Sequence, residues 1–234
     1  TSKHELVQMI QQYMTAHGIQ VVRCCVPKYK LPHFTGLMPD LYKEQWQALP
    51  DSGDFQPGDT VYSLCHNCSA ILEESKPGVI VTSLWEYIAA DESFPLPELT
   101  GRTMILQDCW RAFDRMGEQD AVRTLLQRMG VSITELPDNR EQTNFCGVSV
   151  LRPAPPRNLK LAPQRFSRNA NAQDKFRPYT PDEQKQAMSD YCQRFQGNEV
   201  VSYCHYCMEG LLLGGARAVH LAELLFQHRE AFRM

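Results

Sequence analysis

Eight of the nine cysteines in this 234-residue chain fall into two sets whose spacing suits metal or thiol chemistry. The clearest stretch runs from Asn198 through Val200, Val201, Cys204 and Cys207 to Leu213. A short apolar strand ends in Cys-x-x-Cys, and a helical run follows. Two thiols therefore sit where a strand gives way to a helix N-terminus. Free backbone N–H groups and the helix dipole there favour thiolate over thiol. A twin lies upstream, with Val61, Ser63, Cys65, His66, Cys68 and Leu72 in the same strand, Ser, Cys-His-x-Cys and helix order.

Cys109 and Cys146 also follow predicted strands. Strands of a parallel sheet point the same way, so their carboxyl ends gather at one edge. Cys109, Cys146, Cys204 and Cys207 could then surround one ion or cluster, as a tetrahedral zinc or a cubane iron–sulfur cluster requires. Cys24, Cys25, Cys65 and Cys68 make a comparable first set. Two other readings stay open: a metal-free dithiol pair, and cysteines that merely fill the core. Cys192 lies inside a predicted helix, has no counterpart in the other set, and reads as a core thiol. His66 and His205 occupy the same place in the two loops. Each is either a donor that tunes a cluster sulfur or a polar loop residue.

The elements that must position these residues alternate. Residues 3 to 17 form an amphipathic helix with Leu6, Met9, Ile10, Tyr13 and Met14 on one face, closed by Gly18. Ile19 to Arg23 reads as a strand delivering Cys24 and Cys25. Residues 26 to 58, with five prolines, read as loop with a short helix near 41 to 49. Strand, helix, strand and helix follow to Ala90. Glu92 to Thr100 reads as a linker, after which the order restarts at Thr103. A strand leads to Cys109, a helix ends at Gly130, and a strand covers Val131 to Leu136. Thr180-Pro-Asp-Glu183 is a capping box that opens a helix to about Phe195. The second Cys-x-x-Cys unit, a strand ending at His220 and a last helix from Leu221 complete the chain. This alternation predicts an α/β fold built from parallel βαβ units. Two pseudo-repeated half-domains are expected, 1–95 and 96–234, with the cysteines at the carboxyl ends of the strands.

Residues 152 to 179 break the pattern, with seven basic residues and one acid, Asp174. Together with Phe166, Phe176 and Tyr179 they read as either a solvated loop or a dock for an acidic partner or second subunit. The net charge of −3 gives no pointer to nucleic acid. No apolar run approaches the ~18 residues of a membrane span. No secretory leader is visible, and clustered cysteine in a reducing compartment points to metal or redox chemistry. A cytoplasmic protein without a transmembrane segment is expected. No phosphate loop, dinucleotide fingerprint or nucleophile elbow is present.

The second half resembles the cysteine-rich CCG domain of heterodisulfide reductases and related iron–sulfur oxidoreductases. The carrying residues are Gln107-Asp-Cys109, Gly130 to Arg140, Phe145-Cys146-Gly147, Cys204-x-x-Cys207 and Val219 to Leu225. The first half resembles the other copy through Cys24-Cys25, Cys65-x-x-Cys68 and Ser83 to Ile88. The resemblance implies a thiolate-ligated iron–sulfur protein, with a 4Fe-4S cubane or noncubane cluster. It would pass electrons to a disulfide, quinone or partner protein as a subunit of an oxidoreductase. Three departures bear on this. Phe145 stands where the first Cys of Cys-Cys-Gly belongs, which leaves four ligands and suits a cubane or zinc. Val26 replaces the Gly after Cys24-Cys25. Applied to Gly18, the spacing from Cys109 to Gly130 puts a matching cysteine ahead of residue 1; without it the first half is a four-cysteine site. The rival expectation is a zinc-bound scaffold subunit without redox activity.

Overall fold

The computed structural model describes residues 3–22, 55–147, 162–167 and 179–227. Cys24, Cys25, the helix expected near 41–49 and most of the basic segment lie outside them; the last helix, expected to reach Phe232, ends at Leu225.

The architecture is α/β. Helix α1 (Lys3–Ala16) is followed by β1 (Thr60–Ser63), α2 (His66–Ser75), β2 (Ile80–Ser83) and α3 (Leu84–Ala90). Then come β3 (Thr103–Gln107), α4 (Met116–Arg128) and β4 (Ser132–Glu135). Short α5 (Pro163–Ser167), α6 (Pro181–Cys192), β5 (Glu199–Ser202), α7 (His205–Leu213), β6 (Arg217–His220) and α8 (Leu221–Leu225) follow. Strand pairing among the described residues is parallel throughout: β1 with β2, and a four-stranded sheet in the order β4-β3-β5-β6. The strands that precede Cys109 and Cys204 are neighbours, with Gln107 in register with Ser202. That register brings the two chain exits side by side. No helix among the described residues is long and apolar enough to cross a membrane.

Local sequence explains the boundaries. Thr180 and Glu183 form both bonds of the capping box, and Ser83 and Glu86 do the same for α3. Gly18 closes α1 with a left-handed φ of +71°. One expectation fails: Ile19 to Val22 form no strand. β1 and β2 pair only with each other, so among the described residues no sheet edge receives this stretch. Its apolar side chains Ile19 and Val21 pack on the core instead.

One apolar core runs through both sets of elements, from Met9 and Tyr13 on α1, through Trp85 and Ile88 on α3, to Leu125 on α4 and Leu224 on α8. The expected linker contributes Phe94, buried against Tyr13 and Phe226 with ring centroids 5.1 and 5.4 Å away. Polar ties cross the same boundary. Arg115 grips Glu73 at 2.7 Å, and the guanidinium of Arg111 bonds Asn67 and lies over the rings of Trp110 and Tyr206.

Within the core sits Asp108, 1% exposed. Its carboxylate accepts from Arg123 at 2.8 Å, from the Tyr203 hydroxyl at 2.9 Å and from the Arg140 backbone N–H at 2.9 Å. Arg123 also holds Glu135 at 2.6 Å. Removing one partner of a buried pair strands the other's charge, so Asp108→Ala should cost about 3–5 kcal/mol of stability. Urea denaturation against the parent chain would measure it. A loss under about 1 kcal/mol, the scale of an exposed ion pair, would mean that the network contributes little.

Candidate metal centre

The Sγ atoms of Cys109, Cys146, Cys204 and Cys207 all lie within 4.8 Å of one another, and the Cys109–Cys146 pair is 3.4 Å apart. All four residues are at most 2% exposed. Cys109 leaves β3 and becomes the N-cap of a 3-10 turn, Trp110–Ala112. Cys204 leaves β5 and is the N-cap of α7, with Cys207 in the first turn. The parallel register of β3 and β5 thus supplies three of the four thiols.

Cys146 arrives from a loop, and backbone contact positions it. The Trp110 N–H donates to the Phe145 carbonyl at 3.0 Å. Phe145 stacks on Tyr191 with centroids 4.1 Å apart, and Tyr191 donates to Gln107 at 2.7 Å. Gly147, at φ +52°, passes over α7 so closely that a Cβ there would lie 2.0 Å from the Tyr206 carbonyl oxygen. The facing Gly210 has the Gly147 Cα 2.4 Å from its own virtual Cβ. Two glycines therefore let the loop lie against the helix and deliver Cys146 beside Cys207.

The electrostatics single out one sulfur. Hydrogen bonds from Cys109, Cys146 and Cys207 hold the Cys204 thiol well below the ordinary thiol range. Burial pushes Cys109 and Cys207 well above it. A tetrahedral ion with metal–sulfur bonds of about 2.3 Å sets its sulfurs about 3.8 Å apart, close to the observed spacing. Donor chemistry, burial and spacing all fit a thiophilic metal.

The first set is placed in part. Cys65 is the N-cap of α2 and half-buried; Cys68 is buried in the first turn. Hydrogen bonding from Cys68 outweighs burial and, with His205 and His66 nearby, lowers Cys65 to about 5. An apolar cavity of about 350 Å³ opens beside the pair, lined by Val7, Ile10, Met14 and Leu84 among others. Among the described residues only the second set forms a four-thiol group.

The two loop histidines differ. His205 is exposed and rests on Tyr206, with centroids 4.0 Å apart. His66 is buried and bonds through Nε2 to both Glu118 oxygens, at 3.1 and 3.0 Å. Cys192 is a core thiol, as expected: its Sγ would lie 2.5 Å from a Cβ on Gly214 and bonds the Leu211 carbonyl at 3.7 Å. In the basic segment, Arg165 is held inside the chain by Asp114 and the Arg111 carbonyl, and the Glu74 carboxylate accepts its backbone N–H. The contribution of Asp108 and of the Gly147–Gly210 crossing escaped sequence reasoning. The Cys146-Gly147 dipeptide was the available signal for the crossing.

Comparison with models of known protein families, with curated proteins and with solved structures found no match.

Two outcomes are expected. Gly147→Ala must displace α7 or Cys146 and adopt a left-handed backbone, which should destabilise the fold by at least about 2 kcal/mol. It should also abolish tight metal binding, measured by denaturation and metal titration. Parent-like binding would show that the crossing is dispensable. In chelator-treated protein, Cys65 should be thiolate above pH 5, so its alkylation by iodoacetamide should rise through about pH 5. In Cys68→Ala, which removes the donor, the rise should move up toward the ordinary ~8.5, as followed by mass spectrometry.

Proposed function

We propose that this chain is a metal–thiolate redox protein. It is an iron–sulfur subunit similar to the CCG-domain proteins, passing electrons within an oxidoreductase complex to a disulfide, a quinone or a partner protein. The observation that carries this reading is the buried group Cys109, Cys146, Cys204 and Cys207, with the Cys65–Cys68 pair close by. Four-thiolate sites suit zinc or iron–sulfur centres. The four cysteines would hold the group, and when bound it would supply electron chemistry. The chain's own part is to bury the sulfurs from water and fix their directions through Asp108 and the glycine crossing. Cys65 and Cys68, with Cys24 and Cys25, are the proposed ligands of the first site. The sequence carries no flavin, nicotinamide or nucleotide motif, so the electrons come from a partner.

A specific observation favours a second reading, zinc in a scaffold subunit. Sulfurs within 4.8 Å of one another suit a single ion, whereas a cubane places four irons between its thiolates and spreads them farther apart. Phe145, stacked on Tyr191, supports neither a fifth thiol nor a larger group at this position.

Iron, zinc and acid-labile sulfide analysis of anaerobically purified protein decides between them, with a visible spectrum before and after dithionite. Iron and sulfide in near-equal amounts, with absorbance that bleaches on reduction, is the expected result. Zinc without sulfide would sink the redox reading and leave the scaffold. Cys204→Ser should empty this centre and leave metal at the first site; loss of both together would mean that the sites are not independent.

A further inference from the structure

We infer that the apolar cavity beside Cys65 and Cys68 is a binding site for a small, uncharged, largely apolar molecule with about the bulk of two fused rings, held against the first thiol pair. The inference does not depend on which metal the thiols hold.

Helix α1 is apolar on two sides. Met9 and Tyr13 are buried in the core. Val7, Ile10 and Met14, spaced by three and four residues, form a second stripe, and that stripe lines the cavity. A surface helix needs one apolar stripe to cover a core. The end of β1 adds Leu64 to the wall, and the stretch after Gly18 adds Ile19 and Val21. Val7 and Leu64 are 51% and 38% exposed, although both are large apolar side chains. Exposed apolar groups gathered around a concavity mark a binding site rather than ordinary surface.

Size and charge define the occupant. At about 350 Å³ the cavity lies at the lower end of the range for small-molecule sites, roughly 300–1,000 Å³. A cavity of about 150 Å³ holds one benzene ring. A partner helix, about 10 Å across, is too large to enter. No charged side chain among the described residues lines the cavity. An ionised ligand would lose its hydration there and meet no counter-charge, so the occupant is neutral. Half-buried Cys65 and buried Cys68 form part of the wall. A molecule seated in the cavity therefore lies beside the sulfurs proposed for the first site.

Prodan, an uncharged naphthalene dye whose emission moves to the blue in apolar surroundings, is a suitable probe. Titrated into the 234-residue chain as purified, it should bind saturably, one dye per chain, with blue-shifted emission. Val7→Trp and Leu64→Trp enlarge side chains at exposed positions and intrude on the cavity, and each should weaken binding about tenfold or more. Leu212→Ser removes an equally exposed apolar side chain that does not line the cavity, and should bind as the parent does. In chelator-treated protein, saturating prodan should slow the labelling of Cys65 by N-ethylmaleimide severalfold, as followed by mass spectrometry. Circular dichroism checks the fold, and either Trp variant alone is enough for the comparison. Binding that does not saturate, parent-like affinity in a folded Trp variant, or Cys65 labelling that bound prodan leaves unchanged would overturn the inference. Absence of metal from the parent protein would sink the metal-centre reading and leave prodan binding in place, so the two fail separately.

Discussion

The candidate site depends on one buried carboxylate. Asp108 precedes Cys109 in the chain. It accepts from Tyr203, which precedes Cys204, and from the backbone of Arg140, on the loop that leads to Cys146. A single anion therefore ties together the three segments that bring the thiols into one place. It is tolerated in the core because Arg123 meets it with two N–H groups, at 3.3 and 2.8 Å, and because its hydrogen-bonding capacity is filled. Arg140 takes a left-handed backbone, φ 49°, at the point where its N–H reaches Asp108. Such a conformation in a non-glycine residue persists where surrounding bonds over-determine it.

Much of this was legible in the sequence because it rests on local rules. Alternating strands and helices gave the α/β class, and the parallel direction gave a reason for strand-end cysteines to converge. The capping residues Thr180 and Glu183 marked a helix start that the structure reproduces. What stayed hidden depends on contacts between distant segments. Nothing local announces that Tyr203 and Arg123 share Asp108, or that Gly147 and Gly210 cross. Ile19 to Val22 read as a strand by composition, but a strand exists only where a neighbouring strand accepts its hydrogen bonds. The role of Cys24 and Cys25 lies outside the described residues.

The two Cys-x-x-Cys units share a plan and differ in depth. Both place the first cysteine at a helix N-cap after a parallel strand. The β5 strand is central in a four-stranded sheet, so Cys204 and Cys207 are buried. Among the described residues the β1 strand has one partner, β2, and Cys65 is half-buried. Sheet context, rather than the motif, sets how far each pair is withdrawn from water. Arg111 lies between the loops, bonded to Asn67 of one and lying over Tyr206 of the other, and fastens the shallow unit to the deep one.

The burial of the four thiols bears on time as well as on affinity. Cys109, Cys146 and Cys207 have no exposed surface and Cys204 has 2%, so an ion there has no open path to solvent. It can enter or leave only when β3, β5 or the loop at Gly147 opens, and such openings have a free-energy cost of their own. Loading then belongs to folding, when the ligands first meet. A metal bound there would exchange at the rate of a conformational event, whatever its equilibrium constant. A centre so enclosed would keep the ion it folded around.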